Sequence, residues 1–189
     1  AIYATKLKRD GMLSNNTAVV TTMSNLGFFE CMKRHDIETK VTNVGDKYVL
    51  EEMINGGYSI GGEQSGHIIF GDITTTGDGM LSAVKLLQIL YNERVKASSL
   101  AAIMDKYPQV MINVNVVPAY KEAYVNDDEL NSLIEKYKEE LGDSGRIIVR
   151  ASGTEPLIRV MVEGKDFDEI NAIASDVANL ITASNNKMK

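Results

Sequence analysis

Arg150-Ala151-Ser152-Gly153-Thr154-Glu155-Pro156-Leu157-Ile158-Arg159 lies between two apolar runs, Ile147-Ile148-Val149 and Val160-Met161-Val162. Short apolar runs bounded by Ser, Gly, Thr and Pro read as two strands joined by a tight turn. An arginine stands at each edge of that turn. Its two hydroxyls and its backbone N–H groups are short donors, and a glycine lets the main chain close around an anion. Two guanidinium groups add full positive charge in a planar, bidentate form. The stretch therefore reads as a hairpin whose turn can hold one phosphate. The plainer alternative is a hairpin with two solvent-facing arginines. A carboxylate aimed inward would repel a phosphate, so Glu155 is expected to point away and bond to backbone, with Pro156 stiffening the exit.

The surroundings of the hairpin define the second part of the chain. Met111 to Val117 alternates as a strand, with Ile112, Val114 and Val116 on one face and Asn113 and Asn115 on the other. Asn126 is placed to cap a helix carrying Leu130, Leu133, Ile134, Tyr137 and Leu141. Asp166 starts a last helix with Ile170, Ile173, Val177, Leu180 and Ile181 as its stripe, and the tail from Ser184 to Lys189 reads as frayed. The order β-α-β-β-α makes an α+β layer over 108–189. This part has only three arginines, and two of them, Arg150 and Arg159, frame the turn. Solubility alone does not explain that placement.

The first part has a different rhythm. Thr17 to Thr22 is short and β-branched. Ser24 is placed to cap a helix through Leu26, Phe29 and Met32 that ends near His35. Ile37 to Val44 reads as a strand, and Gly45-Asp46 opens a helix closed by Asn55-Gly56-Gly57. Strand, helix, strand, helix predicts an α/β layer with a partly parallel sheet over 17–107. Asp78 then opens a helix with apolar positions Met80, Leu81, Val84, Leu87, Ile89 and Leu90, and Ser98 or Ser99 caps a short one. The methionines on such helical stripes are expected in the core. The boundary falls near Pro108. Ala1 to Lys8 reads as the end of a helix whose start is missing, which fits either a piece of a longer protein or a processed or engineered N-terminus.

A second polar turn, Gly61-Gly62-Glu63-Gln64-Ser65-Gly66-His67, lies between Tyr58-Ser59-Ile60 and Ile68-Ile69-Phe70. Alternation in an extended loop puts Glu63, Ser65 and His67 on one side. A carboxylate that accepts from neighbouring hydroxyls, beside a serine and an imidazole, suits a sugar ring. One Glu and one His are too few for a closed metal site. Glu63 and His67 could also serve as an acid–base pair. A hairpin turn that satisfies its own backbone is the structural alternative.

Bulk properties narrow the function classes. The net charge of −6 argues against a nucleic-acid partner, and no long apolar window spans a membrane. The opening residues are not a signal peptide. The single cysteine, Cys31, sits among Phe28, Phe29 and Met32 and fits a buried thiol in a reducing, cytoplasmic compartment. The glycines match neither a P-loop nor a dinucleotide fingerprint.

The two turns together resemble the α-D-phosphohexomutases. Gly61 to His67 resembles the sugar-recognition loop of their third domain, and Arg150 to Pro156 with Arg159 resembles the phosphate-binding loop of their fourth. Met23-Ser24-Asn25-Leu26-Gly27, Val44-Gly45-Asp46-Lys47-Tyr48-Val49 and the Gln64 of the first turn look like the phosphoglucosamine mutase branch. The resemblance covers nearly the whole chain and implies that 1–16 is the C-terminal remnant of a preceding domain. It implies an α/β sugar-binding domain, of mixed sheet, followed by a smaller TATA-box-binding-protein-like α+β domain. It implies phosphoryl transfer between the 6- and 1-positions of glucosamine phosphate, through a hexosamine bisphosphate, a phosphoserine and a Mg²⁺ bound in earlier domains.

On that resemblance Glu63 and Ser65 read hydroxyls, with His67 near the sugar or the transferred phosphate. Arg150, Ser152, Gly153, Thr154 and Arg159 grip the phosphate that is not reacting. Asp46 and Lys47 line the same cleft, Lys47 standing where Arg is more usual. The nucleophilic serine loop and the Asp-rich metal loop do not occur in these 189 residues. The expected partners are thus a sugar phosphate and the N-terminal domains of the same protein, and the chain alone is expected to be inactive. The competing expectations are a phosphomannomutase or phosphoglucomutase fragment, and a non-catalytic sugar-phosphate-binding module.

Overall fold

The computed structural model describes residues 1–188. Two compact units, Ala1–Lys106 and Tyr107–Lys189, divide the chain.

In the first unit, β1 (Thr17–Thr21) is buried along its whole length. A short continuous run of Ala, Val and Thr suits a central parallel strand covered on both faces. It pairs in parallel with β2 (Glu38–Thr42) on one side and with β3 (Ile60–Gly62) on the other, and β4 (Ile68–Phe70) closes the sheet antiparallel to β3. The strand order is β2-β1-β3-β4. Period-two alternation then sorts the core into two layers. Ala18, Ile60 and Phe70 pack with Cys31 and Met32 of α2 (Leu26–Arg34) and with Ala4 of α1 (Ile2–Arg9). Val19 and Ile69 pack with Val49 and Met53 of α3 (Asp46–Gly56) on the other face. Residues 2–9, read from sequence as part of a preceding domain, therefore pack into this unit's core. Tyr3 Oη donates to the Ser82 carbonyl at 2.6 Å, and Arg9 pairs with Glu93, which ties α1 to α4 (Gly79–Glu93).

Several details differ from expectation. The cap of α2 is Asn25, whose Oδ1 accepts from the Gly27 N–H, and not Ser24. The short helix α5 (Ala97–Ala101) follows Lys96 and has no side-chain cap from Ser98 or Ser99. Val41 of β2 is half exposed because β2 is an edge strand. Met80, Val84 and Leu87 of α4 are exposed, and only Ser82 and Ile89 of that helix are buried. A helix apolar on more than one side does not reveal by periodicity which side faces the core.

The second unit is an antiparallel three-stranded sheet, β5 (Gln109–Asn115), β7 (Leu157–Gly164) and β6 (Gly145–Ala151), in the order β5-β7-β6. Helices α7 (Asp128–Leu141) and α8 (Phe167–Lys187) share one core with it. Ile158, Val160 and Val162 of the central strand face that core, so Arg159, Met161 and Glu163 face the other way. Asp127, not Asn126, caps α7 by accepting from the Leu130 N–H at 3.1 Å, and Asp166 caps α8 as expected. A helix α6 (Pro118–Ala123) occupies what reads as loop. The tail is not frayed from Ser184: α8 runs to Lys187, and buried Asn185 accepts from the Val117 N–H at 2.8 Å. Lys189 lies outside the described residues.

Candidate functional site

The first unit places its polar turn by topology. β1-α2-β2 builds outward on one face, and β2-α3-β3 returns across β1 on the other. The strand order therefore reverses between β1 and β3. The carboxyl ends of two such strands leave a crevice that favours ligands. A crevice of about 290 Å³ opens here, with Ser24, Asn25, Gly62, Glu63 and Gln64 among its lining residues.

Within that turn, hydrogen bonds divide the three candidate side chains. The Gly45 N–H donates to Glu63 Oε1 at 3.0 Å, which joins the turn to the segment carrying Asp46 and Lys47. Ser65 Oγ lies 3.2 Å from His67 Nδ1, a bond whose direction follows the imidazole tautomer. The Glu63 N–H donates to the His67 carbonyl at 2.9 Å and closes the turn. Glu63 and His67 thus bond to different partners, which does not favour reading them as a coupled acid–base pair. Asp46 Oδ1 accepts from the Lys47 N–H at 2.8 Å, and Lys47 Nζ sits 4.5 Å from the centre of the Tyr48 ring. Both side chains are exposed. Gly77, which the sequence offers only as part of a helix start, lies against the imidazole: a Cβ there would come within 3.0 Å of His67 Cδ2.

In the second unit the register decides the geometry. Arg150 and Arg159 are direct cross-strand partners, so both side chains leave the same face, the one turned away from the helices. Like charges directly opposite are destabilising in a sheet, by up to about 1 kcal/mol. The Arg150 pKa is lowered, first by burial and then by Arg159, with Tyr124 opposing. Among the described residues Arg150 has no carboxylate partner. Arg159 Nη2 donates to Glu155 Oε2 at 2.8 Å, while its buried Nε has no hydrogen-bond partner.

The turn itself is partly self-satisfied. Ser152 is buried, its N–H donates to the Leu157 carbonyl, and its Oγ accepts from the Glu155 N–H at 3.3 Å. Gly153 and Thr154 are exposed, and among the described residues their N–H groups have no protein acceptor. The Gly153 φ is ordinary and a Cβ there meets nothing within 4 Å, so the protein's own packing does not require a glycine.

Two expectations change. Glu155 points toward Arg159, because two cationic groups set side by side attract the nearest carboxylate. Lys121 and Tyr124, absent from the sequence reading, adjoin the turn. Lys121 Nζ donates to the Glu155 carbonyl at 2.8 Å, and Tyr124 Oη accepts from the Ala151 N–H at 3.2 Å. They precede the turn by about 30 positions, and no local pattern connects them to it.

Residues 1–107 match the domain family described as phosphoglucomutase/phosphomannomutase, alpha/beta/alpha domain III, and residues 111–180 match the C-terminal domain of the same enzymes. The chain belongs to the phosphoglucomutase/phosphomannomutase family. It is 54% identical over 181 residues to the phosphoglucosamine mutase of Thermoanaerobacter sp. (strain X514) and 52% identical to that of Caldanaerobacter subterraneus. The alignments cover 96% of this chain and 40% of the relatives' length. Among solved structures, the Aspergillus fumigatus N-acetylphosphoglucosamine mutase in complex with GlcNAc-6P and magnesium shares the fold at a TM-score of 0.72. It is 19% identical, over 97% of this chain and 42% of that one.

Phosphohexomutase folds of this kind thus account for both sheets. Among the described residues no group of three or more His, Cys, Asp or Glu side chains could hold a metal ion.

Proposed function

We propose that this chain supplies the recognition part of a phosphoglucosamine mutase, which interconverts glucosamine 6-phosphate and glucosamine 1-phosphate by phosphoryl transfer. The observation that carries the reading is the Arg150–Arg159 pair. Two guanidinium groups opposed across a strand pair, beside a turn with unsatisfied N–H groups, form an arrangement that a bound dianion stabilises. The identity to phosphoglucosamine mutases supports that enzyme over its mannose- and glucose-specific relatives.

In this reading Arg150, Ser152, Gly153, Thr154 and Arg159 bind the phosphate that does not react. Ser152 and Thr154 add hydroxyls, and the Gly153 and Thr154 N–H groups point to phosphate oxygens. Glu63 accepts from sugar hydroxyls with the oxygen not taken by Gly45, and the Ser65–His67 pair gives or takes one further bond. Asp46 and Lys47 adjoin the same loop through Gly45. The phosphoserine and the Mg²⁺ belong to other domains of a longer protein, which are this chain's partners, and the hexosamine bisphosphate intermediate is gripped by this turn through its non-reacting phosphate.

The test uses the 189-residue chain. Titration with glucosamine 6-phosphate should shift the amide resonances of Gly153 and Thr154, with a Kd on the order of millimolar, about −4 kcal/mol. Mutase turnover should be absent from this chain and present in the intact reading frame, with higher kcat/KM on glucosamine phosphate than on glucose or mannose phosphates. Turnover by the purified 189-residue chain would refute the division of labour. Equal efficiency on all three sugars would refute the substrate assignment.

A further inference from the structure

The phosphate turn contains its own anion. Glu155 Oε2 lies 2.8 Å from Arg159 Nη2 and 3.5 Å from Ser152 Oγ, so two donors assigned above to phosphate converge on one carboxylate oxygen. The backbone beneath it is held: the Glu155 N–H donates to Ser152 Oγ, and its carbonyl accepts from Lys121 Nζ. The side chain itself is 53% exposed. It can therefore rotate into water without disturbing the turn that carries it.

We propose that Glu155 is an internal competitor for the phosphate position, which bonds Arg159 and Ser152 there and swings out when phosphate enters. The inference rests on the phosphate reading of Ser152–Pro156. Two arginines and one carboxylate give the turn a net positive charge, which a phosphate dianion neutralises better than the carboxylate does. An external anion binds only the fraction of molecules in which the carboxylate has left, and its apparent Kd rises in inverse proportion to that fraction. A turn that is closed about 80–90% of the time weakens every external anion by about 5- to 10-fold. Weak anions such as chloride then fail to occupy it at ordinary concentrations, whereas phosphate esters still do. The same carboxylate recaptures Arg159 as phosphate departs, which shortens residence.

The experiment compares the wild-type chain with Glu155→Gln, using inorganic phosphate as the probe and the Gly153 and Thr154 amide shifts as the readout. Glu155→Gln should bind phosphate about 5- to 10-fold more tightly and release it more slowly. The empty variant should melt at a lower temperature, because the arginine pair is no longer compensated, and phosphate should raise its Tm by more than it raises that of the wild type. Should phosphate bind the variant equally or less well than the wild type, Glu155 merely positions Arg159. The inference is then overturned and the phosphate reading stands. Should phosphate shift neither protein at about 100 mM, the phosphate reading fails and takes the inference with it. A measurement on the wild type alone guards against a variant that does not fold. On saturation with phosphate the Arg159 Nε–H resonance should move and the Glu155 side chain should lose its Arg159 contact; persistence of that contact overturns the proposal.

Discussion

Arg150→Met separates function from stability because the two should move in opposite directions. Arg150 sits partly buried, opposite a second arginine, with no carboxylate partner among the described residues. Removing its charge relieves both the burial cost and the repulsion that lower its pKa. A like-charge cross-strand pair costs a few tenths to about 1 kcal/mol, and methionine keeps most of the aliphatic stem. The unliganded variant should therefore be as stable as the wild type or more stable by up to about 1 kcal/mol. Phosphate should lose one charge-assisted donor group, about 1.5–3 kcal/mol, or roughly 10- to 150-fold in Kd. Urea denaturation gives the first number and titration of the Gly153 and Thr154 amides with phosphate gives the second. A variant destabilised by more than about 1 kcal/mol, or one that binds phosphate as the wild type does, would show that Arg150 supports the fold and not the ligand.

Three further outcomes are expected. Gly153→Ala should leave stability unchanged or raise it by up to about 1 kcal/mol, since the site has open space and ordinary φ; weaker phosphate binding in that variant, measured by the same titration, would locate the need for glycine in the ligand. Glu63→Gln should loosen the Gly45 N–H contact, and amide exchange at Gly45 should quicken by roughly 10-fold, the effect of about 1.4 kcal/mol. Burial pushes the Asp127 carboxyl up, but hydrogen bonds from Tyr120, the Leu130 N–H, Ser184 and the Glu129 N–H outweigh it and hold its pKa below the ordinary carboxylate value. With the folded pKa depressed, this stabilisation is present above the unfolded value and is lost as pH falls through the folded one. Tm should thus decline below about pH 4, and Asp127→Asn should flatten that part of the profile.

The hairpin was legible because its sequence carries both signals a strand pair needs: β-branched and apolar runs on either side, and a turn rich in Ser, Gly and Thr between them. The alternation at Ile158, Val160 and Val162 sends those side chains to the helices and leaves Arg159 on the far face. The caps were less legible. Ser24 and Asn25 both can cap, as can Asn126 and Asp127, and the choice depends on which backbone turns into the helix first. The exposed stripe of α4 was illegible, since apolar periodicity identifies a helix without saying what covers each side.

The orientation of Glu155 differs from expectation for a physical reason. Reasoning from the bound state, a carboxylate beside a phosphate is a repulsive neighbour and should turn away. The unliganded turn poses the opposite problem. Its two guanidinium groups are forced together by the register of β6 and β7, a constraint set by the hydrophobic positions of the strands and not by charge. With no phosphate present, the nearest carboxylate lowers the energy of that pair, and Glu155 reaches Arg159 from four residues away. On the proposed phosphate reading the same side chain is favourable in one state and unfavourable in the other. A sequence motif records only that the residue is there; which state it serves follows from the cross-strand register that sets Arg150 against Arg159.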